Sequence, residues 1–174
     1  MIPTRRYELR FISFQTYATL PHMKLAEALL LRADLQKKLA SLRERIGRYS
    51  IVQAGEKPHE DPNRLLAEAA GVLDQFESLV FRINRANLTG KLKDGRTLTE
   101  ALAQRDALNL RHSLLQAAID GTAKPPERYG LKEIKYVATV PVPKLQNQAD
   151  DLARKIRELN AAIQEANWNI KVED

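Results

Sequence analysis

One glutamate–histidine pair has the spacing of a carboxylate-bridged metal motif. Helical-bundle enzymes that bind paired metal ions need glutamates on facing helices together with Glu-x-x-His pairs, so that carboxylates and imidazoles meet in the core. The sequence has one such spacing, from Glu56 to His59, and it contains Pro58. Because the second copy is missing and proline favours a loop, we expect solvated side chains and no metal site. The absence of cysteine also excludes disulfides, zinc–thiolate sites and thiol catalysis.

Arg96 and Thr97 form a candidate anion site. They follow the turn Asp94-Gly95 and precede a predicted helix N-terminus, where free N–H groups and the helix dipole attract phosphate or carboxylate. No glycine-rich phosphate loop accompanies them. A turn followed by a capping box, in which Thr97 and Glu100 satisfy each other's backbone N–H groups, explains the same residues and is the favoured interpretation.

Three polar residues interrupt predicted apolar stripes, namely Arg32, Arg105 and His112. Buried polar positions in heptad seams commonly fix register and oligomeric state. Neither a nucleophile nor a paired carboxylate lies near them in sequence, so we favour this structural role over ligand binding. We assign no catalytic, cofactor-binding or metal-binding residue, and we expect that the protein is not an enzyme.

The net charge of +6 is concentrated near the N-terminus. Residues 1–22 contribute +2 and residues 23–53 contribute +4, so the remaining residues are neutral overall. The most basic face of the first predicted helix carries Lys37, Lys38, Arg43, Arg45 and Arg48. They wind around the helix with only Tyr49 nearby for base stacking, so we expect a solvated face with intrahelical pairs such as Asp34–Lys38 rather than a nucleic-acid site.

Heptad-like apolar spacing predicts four long helices. They run from about Met23 to Val52, from Asp61-Pro62 past Ala86, from the Thr97 box to about Asp120, and from Pro143 to near Trp168. In the second helix a further stripe lies one residue after the seam, and its members are Leu66, Leu73 and Val80. A widened apolar face is typical of a helix that contacts two neighbours.

Two segments differ from the helical pattern. The β-branched residues of 134–140 predict a strand that needs a partner. Residues 1–22 alternate in a β-compatible way, and we interpret them as a peripheral extension before a single helical domain over 23–174. The sequence lacks a run of eighteen apolar residues and a secretory signal, so we expect neither a membrane partner nor export, but a cytoplasmic protein.

Four stretches resemble a family of small, mostly uncharacterised bacterial proteins, some of which carry the label septicolysin. The stretches are residues 23–36 (MKLAEALLLRADLQ), 83–87 (INRAN), 94–102 (DGRTLTEAL) and 163–168 (IQEANW). The resemblance covers about residues 23–168. It implies a helical bundle that tends to self-assemble, and it brings no established reaction and no catalytic residues.

These observations predict a mainly α protein, an antiparallel bundle of four long helices with a small β element of one or two short strands. Its long seams and widened stripe offer more apolar surface than four slender helices can bury among themselves, so we expect a symmetric homo-oligomer without enzymatic activity or cofactor. Two alternatives stay open: a nucleic-acid-binding helical module, and a membrane-active protein of the kind that the septicolysin label would imply.

Overall fold

Four long helices account for most of residues 23–123 and 136–173, the parts of the chain that this computed structural model describes. They are α1 (Leu25–Tyr49), α2 (Pro62–Thr89), α3 (Leu98–Ala123) and α4 (Val142–Asn169). The prediction of a mainly α protein with four helices is therefore confirmed. None of these helices combines the length and apolar character needed to cross a membrane.

The capping residues predicted at the N-termini of α2 and α3 form the expected hydrogen bonds. The N–H of Asn63 donates to Asp61 Oδ1 at 2.9 Å, so Asp61 caps α2 ahead of Pro62. At α3 the N–H of Glu100 donates to Thr97 Oγ1 at 3.2 Å, and the N–H of Thr97 donates to Glu100 Oε2 at 2.7 Å. This reciprocal pair is a capping box that fixes where α3 begins.

One compact unit contains α1 and most of α2, with the described residues Met23, Glu27–Ile83 and 171–173. Lys38 Nζ lies 2.8 Å from Glu68 Oε1, and Arg45, two turns later on α1, pairs with Glu60 just before α2. Because advancing along α1 means moving back along the second helix, the two helices run antiparallel. Their facing seams supply the buried side chains Leu35, Leu42, Leu65, Val72 and Leu79.

A second compact unit contains α3 and α4, with Lys24–Ala26 and Asn84–Ile170 apart from residues 124–135, which lie outside the described ranges. Gln104 of α3 and Ala162 of α4 line one cavity, whereas Leu115 and Gln148 line another, so these helices are also antiparallel. The apolar side chains buried along their seams are Leu98, Ala101, Leu108, Ala149, Leu159, Ile163 and Ala166. The single domain over 23–174 stays a prediction.

The predicted small β element is not supported. Residues 136–140 form no strand, and the side chains of Tyr136 and Val137 are 55% and 78% exposed. A β-branched run becomes a strand only where another strand satisfies its backbone groups, and pairing in the described ranges consists of isolated bridges such as Lys91 with Thr97. Residues 134 and 135 and the β-compatible segment 1–22 lie outside the described residues.

Candidate functional site

The predicted anion site at the start of α3 is occupied by the loop's own carboxylates. The Arg96 guanidinium pairs with Asp94, with Nε 2.9 Å from Oδ2, and also donates to Gln104 Oε1. This hydrogen-bonded pairing lowers the pKa of Asp94 and raises that of Arg96. An incoming anion would have to displace Asp94 from Arg96.

Thr97, the second residue of that site, is engaged in the capping box. Its backbone N–H and its hydroxyl both donate to Glu100 Oε2, at 2.7 and 2.9 Å. These two bonds lower the pKa of Glu100, so a negative charge already stands at the positive end of the α3 dipole. The anion site at Arg96 and Thr97 therefore stays a prediction and does not enter the function proposed below.

The three predicted seam residues are each half-buried and are not brought together. Arg32 lies in the unit of α1 and α2, and its Nε is buried with no hydrogen-bond partner among the described residues. Arg105 pairs with its neighbour Asp106, whose Oδ1 is 2.9 Å from Nη2. His112 lies two turns further along α3. This arrangement assembles no acid–base pair from them, and their role in register stays a prediction.

The predicted basic face of α1 is largely engaged in ion pairs. Lys37 Nζ is 3.4 Å from Asp34 Oδ1, Arg48 Nη2 is 2.5 Å from Glu44 Oε1, and Lys38 reaches Glu68. The hydrogen bond between Arg45 and Glu60 raises the pKa of the arginine and lowers that of the glutamate. Across residues 23–123 and 136–173, no three His, Cys, Asp or Glu side chains gather as a metal site requires.

The second apolar stripe predicted on α2 is exposed to solvent at Leu66 and Leu73, whereas its third member, Val80, is half-buried. Leu66, Leu73 and Phe81 are 53%, 52% and 65% exposed, in contrast to the seam residues of the same helix. At about 100° per residue, the carboxylates Asp74 and Glu77 fall within the same arc of about 100°. Neither carboxylate makes an ion pair or hydrogen bond with another described residue. We call Leu66, Leu73, Asp74, Glu77 and Phe81 the α2 face.

A groove of two adjacent cavities, about 460 and 470 Å³, lies between α3 and α4. Each cavity has an apolar part, and both are lined by the two cations Arg111 and Lys155. The apolar lining consists of Leu108, Leu114 and Leu115 on α3 and Leu152, Leu159 and Ala162 on α4. We call this surface the α3–α4 groove. Leu114, which lines this groove, is 71% exposed.

The charges of the α3–α4 groove are unbalanced toward the positive. Asp151 is paired with Arg154 at 2.9 Å, and Arg96 is held by Asp94. Arg111 and Lys155 make no ion pair or hydrogen bond within the described ranges, and the remaining carboxylate is Glu158. Two cations that no described residue neutralises, beside apolar side chains, make a surface suited to an anionic, partly apolar partner.

Sequence reasoning missed both cations. A signal was present, because Arg111 stands one turn before Leu115 and Lys155 stands one turn before Leu159, so each cation lies beside an apolar stripe. That they line the same cavities depends on the register between α3 and α4, which spacing within one helix does not specify. The exposed stripe at Leu66 and Leu73, in contrast, was predicted from spacing alone.

Comparisons with known proteins place the chain among proteins of undetermined role. The model of DUF6847, a family of unknown function, matches residues 32–172. The crystal structure of a functionally unknown conserved protein from Corynebacterium diphtheriae is 35% identical, with a TM-score of 0.80, and the match covers 87% of this chain and 99% of that chain. No curated protein matches. The resemblance to uncharacterised bacterial proteins is thus supported, and neither match carries the septicolysin label.

Proposed function

The chain belongs to the DUF6847 family, whose function is unknown, and from that premise we propose that it is a non-enzymatic helical protein that forms a symmetric homo-oligomer. The observation that carries the proposal is the exposure of the α2 face. A single chain leaves about half or more of Leu66, Leu73 and Phe81 in water. A second copy that covers them would remove this apolar surface from solvent.

Physical chemistry favours such covering. Burying apolar surface is worth about 25 cal/mol per Å², so a stripe of three large side chains gains several kcal/mol when it is covered. Exposed apolar surface also occurs on α3, where Leu110 and Leu114 are 67% and 71% exposed. Contiguous apolar surface of this kind marks interaction sites more often than inert surface, and closed symmetry is the usual outcome for identical chains.

The charge distribution of α1 supports a protein partner rather than nucleic acid. A phosphate-binding surface needs cations that are free to replace counterions, whereas Lys37, Lys38, Arg45 and Arg48 on α1 are each paired with a carboxylate. The lack of cysteine suits the reducing cytoplasm, which we propose as the location.

Measuring the solution mass tests the proposal. We expect light scattering at micromolar concentration to give a multiple of 19.7 kDa for the wild type. The variant L66Q/L73Q keeps good helix formers on the surface of α2 and should shift the protein toward monomer. The matched control L30Q changes a leucine of α1 that is 62% exposed and should leave the mass unchanged. A monomeric wild type would overturn the proposal.

The two alternatives from the sequence have separate readouts. A nucleic-acid module would retain DNA or RNA in a filter assay with affinity that falls steeply as salt rises. A membrane-active protein, as the septicolysin label would imply, would release dye from anionic vesicles. We expect neither salt-sensitive retention nor dye release, and either result would replace self-association as the proposed role.

A further inference from the structure

The α2 face and the α3–α4 groove are complementary in length and charge. We propose that in the homo-oligomer the α2 face of one copy docks in the α3–α4 groove of a second copy. The inference rests on the proposed self-association and specifies the two surfaces that make the contact. Both surfaces are exposed in the single chain, as Leu73 at 52% and Leu114 at 71% illustrate.

The two surfaces match in length. The α2 face extends from Leu66 to Phe81, which is about 22 Å at a rise of 1.5 Å per residue. On α4 the groove is lined from Gln148 to Ala162, which is about 21 Å. A helix that lies along a groove between two others presents apolar residues at i, i+3, i+4 and i+7, and Leu66 and Leu73 have that spacing.

The two surfaces also match in charge. The α2 face carries Asp74 and Glu77, one turn apart and without partners among the described residues. Arg111 and Lys155 of the groove are likewise without partners there, whereas Glu158 is the single unpaired carboxylate of the lining. Docking would therefore bring two carboxylates to two cations, and opposite charges at an interface fix its register and exclude wrong partners.

The charges occupy corresponding positions along the two surfaces. Lys155 lies midway between Gln148 and Ala162, and Asp74 and Glu77 lie near the middle of the span from Leu66 to Phe81. Centring the helix in the groove therefore aligns the charged pairs and the apolar ends together. With Leu66 and Phe81 toward the two cavities, the central ion pairs become shielded from water by apolar contacts on both sides.

The proposed contact joins two different surfaces, so each copy carries one face and one groove. Such an interface either closes as a ring, forms twice across a two-fold axis, or extends as a filament. In each case every copy can use both surfaces, and a substitution in either surface affects every contact.

A charge reversal tests the pairing. The variants D74K/E77K and R111E/K155E each place like charges across the contact, so we expect self-association of each to weaken about tenfold or more. An equimolar mixture of the two variants restores opposite charges at every contact between unlike copies, and we expect assembly to return. The control matched to R111E/K155E is R43E/R157E, which makes the same change in net charge on exposed residues outside both surfaces and should assemble as the wild type does.

The outcomes separate the inference from the proposed function. A wild type that is monomeric overturns both. Two reversed variants that assemble as tightly as the wild type leave self-association standing and overturn the pairing of these surfaces. Two variants that stay monomeric when mixed also overturn it, provided that far-UV circular dichroism shows each to be helical. Assembly in the mixture alone supports the proposal and also shows that both variants are folded.

Discussion

Glu100 is the residue whose charge state the structure ties most directly to helix formation. Its carboxylate accepts the backbone N–H and the hydroxyl of Thr97, and these bonds are stronger to the ionised form. They lower its pKa from the ordinary glutamate value of 4.5. The group therefore contributes stability above about pH 4.5, and the contribution is lost as pH falls through the lowered pKa.

The substitution E100Q tests this linkage. Glutamine keeps the capping geometry but has no proton to bind, so the difference in unfolding free energy between wild type and variant should shrink as pH falls below about 4.5. Urea titrations at pH 7, 5 and 3.5 would measure it. The control is E56Q, which removes a carboxylate from an exposed loop outside the capping box. A difference that stays constant across the acid range contradicts the assignment.

At the residue scale, the sequence predicts what depends on neighbours within one turn. The box at Thr97 and Glu100 and the cap at Asp61 were both visible in sequence and are both formed. The partner of Arg96 was not visible in sequence, because the choice between Asp94 and an outside anion depends on how the loop folds. The cation pair of Arg111 and Lys155 was missed for a similar reason, since the two residues belong to different helices.

At the scale of elements, the backbone at Gly90, just after α2, lies close to Ile170 and to the carbonyl oxygen of Ala86. A Cβ atom placed there would lie 2.5 Å from Ile170 Cδ1 and 2.7 Å from the carbonyl oxygen of Ala86. The isoleucine tip can move, but the oxygen belongs to the backbone and also accepts the Gly90 N–H at 2.8 Å. A side chain at this position therefore forces the chain after α2 to shift.

We expect G90A to destabilise the fold by about 1–3 kcal/mol, the usual range for overpacking. Gly71, inside α2, provides a control of opposite sign, because a Cβ atom there meets nothing within 4 Å. G71A should stabilise by about 0.5–1 kcal/mol, since alanine is the better helix former. Denaturant unfolding of both variants measures the contrast, and an equal effect of the two substitutions would show that the close approach at Gly90 is unimportant.

Periodicity predicted the elements well where apolar spacing was strong and poorly where a single residue type was used as a signal. The apolar stripes predicted for α2 and α4 do lie on helices, and these helices begin and end close to the predicted residues. The third helix was predicted to end at about Asp120, yet α3 continues through Gly121 to Ala123, because a glycine weakens a helix by only about 1 kcal/mol. The β-branched residues of 136–140 were predicted as part of a strand, but β propensity depends on a pairing partner.

At the scale of the whole molecule, the amount of apolar surface left exposed matters more than any one residue. Each of the two compact units buries one seam per helix, and the described residues still leave large side chains in water on α1, α2 and α3. Sequence spacing alone predicted the excess of apolar surface on α2. The spacing gave no indication of the α3–α4 groove, because that groove exists only once α3 and α4 are paired.

If copies cover one another's α2 faces, the melting temperature must depend on protein concentration. Association stabilises the folded chain by mass action, about 2.7 kcal/mol for a hundredfold excess over the dissociation constant. For a chain of this size that corresponds to a rise of roughly 5–10 °C. Calorimetry across a hundredfold range of concentration should show this rise for the wild type and for L30Q, and a nearly constant melting temperature for L66Q/L73Q. A wild type whose melting temperature does not change on dilution through that range would mean that its exposed leucines contribute nothing to assembly.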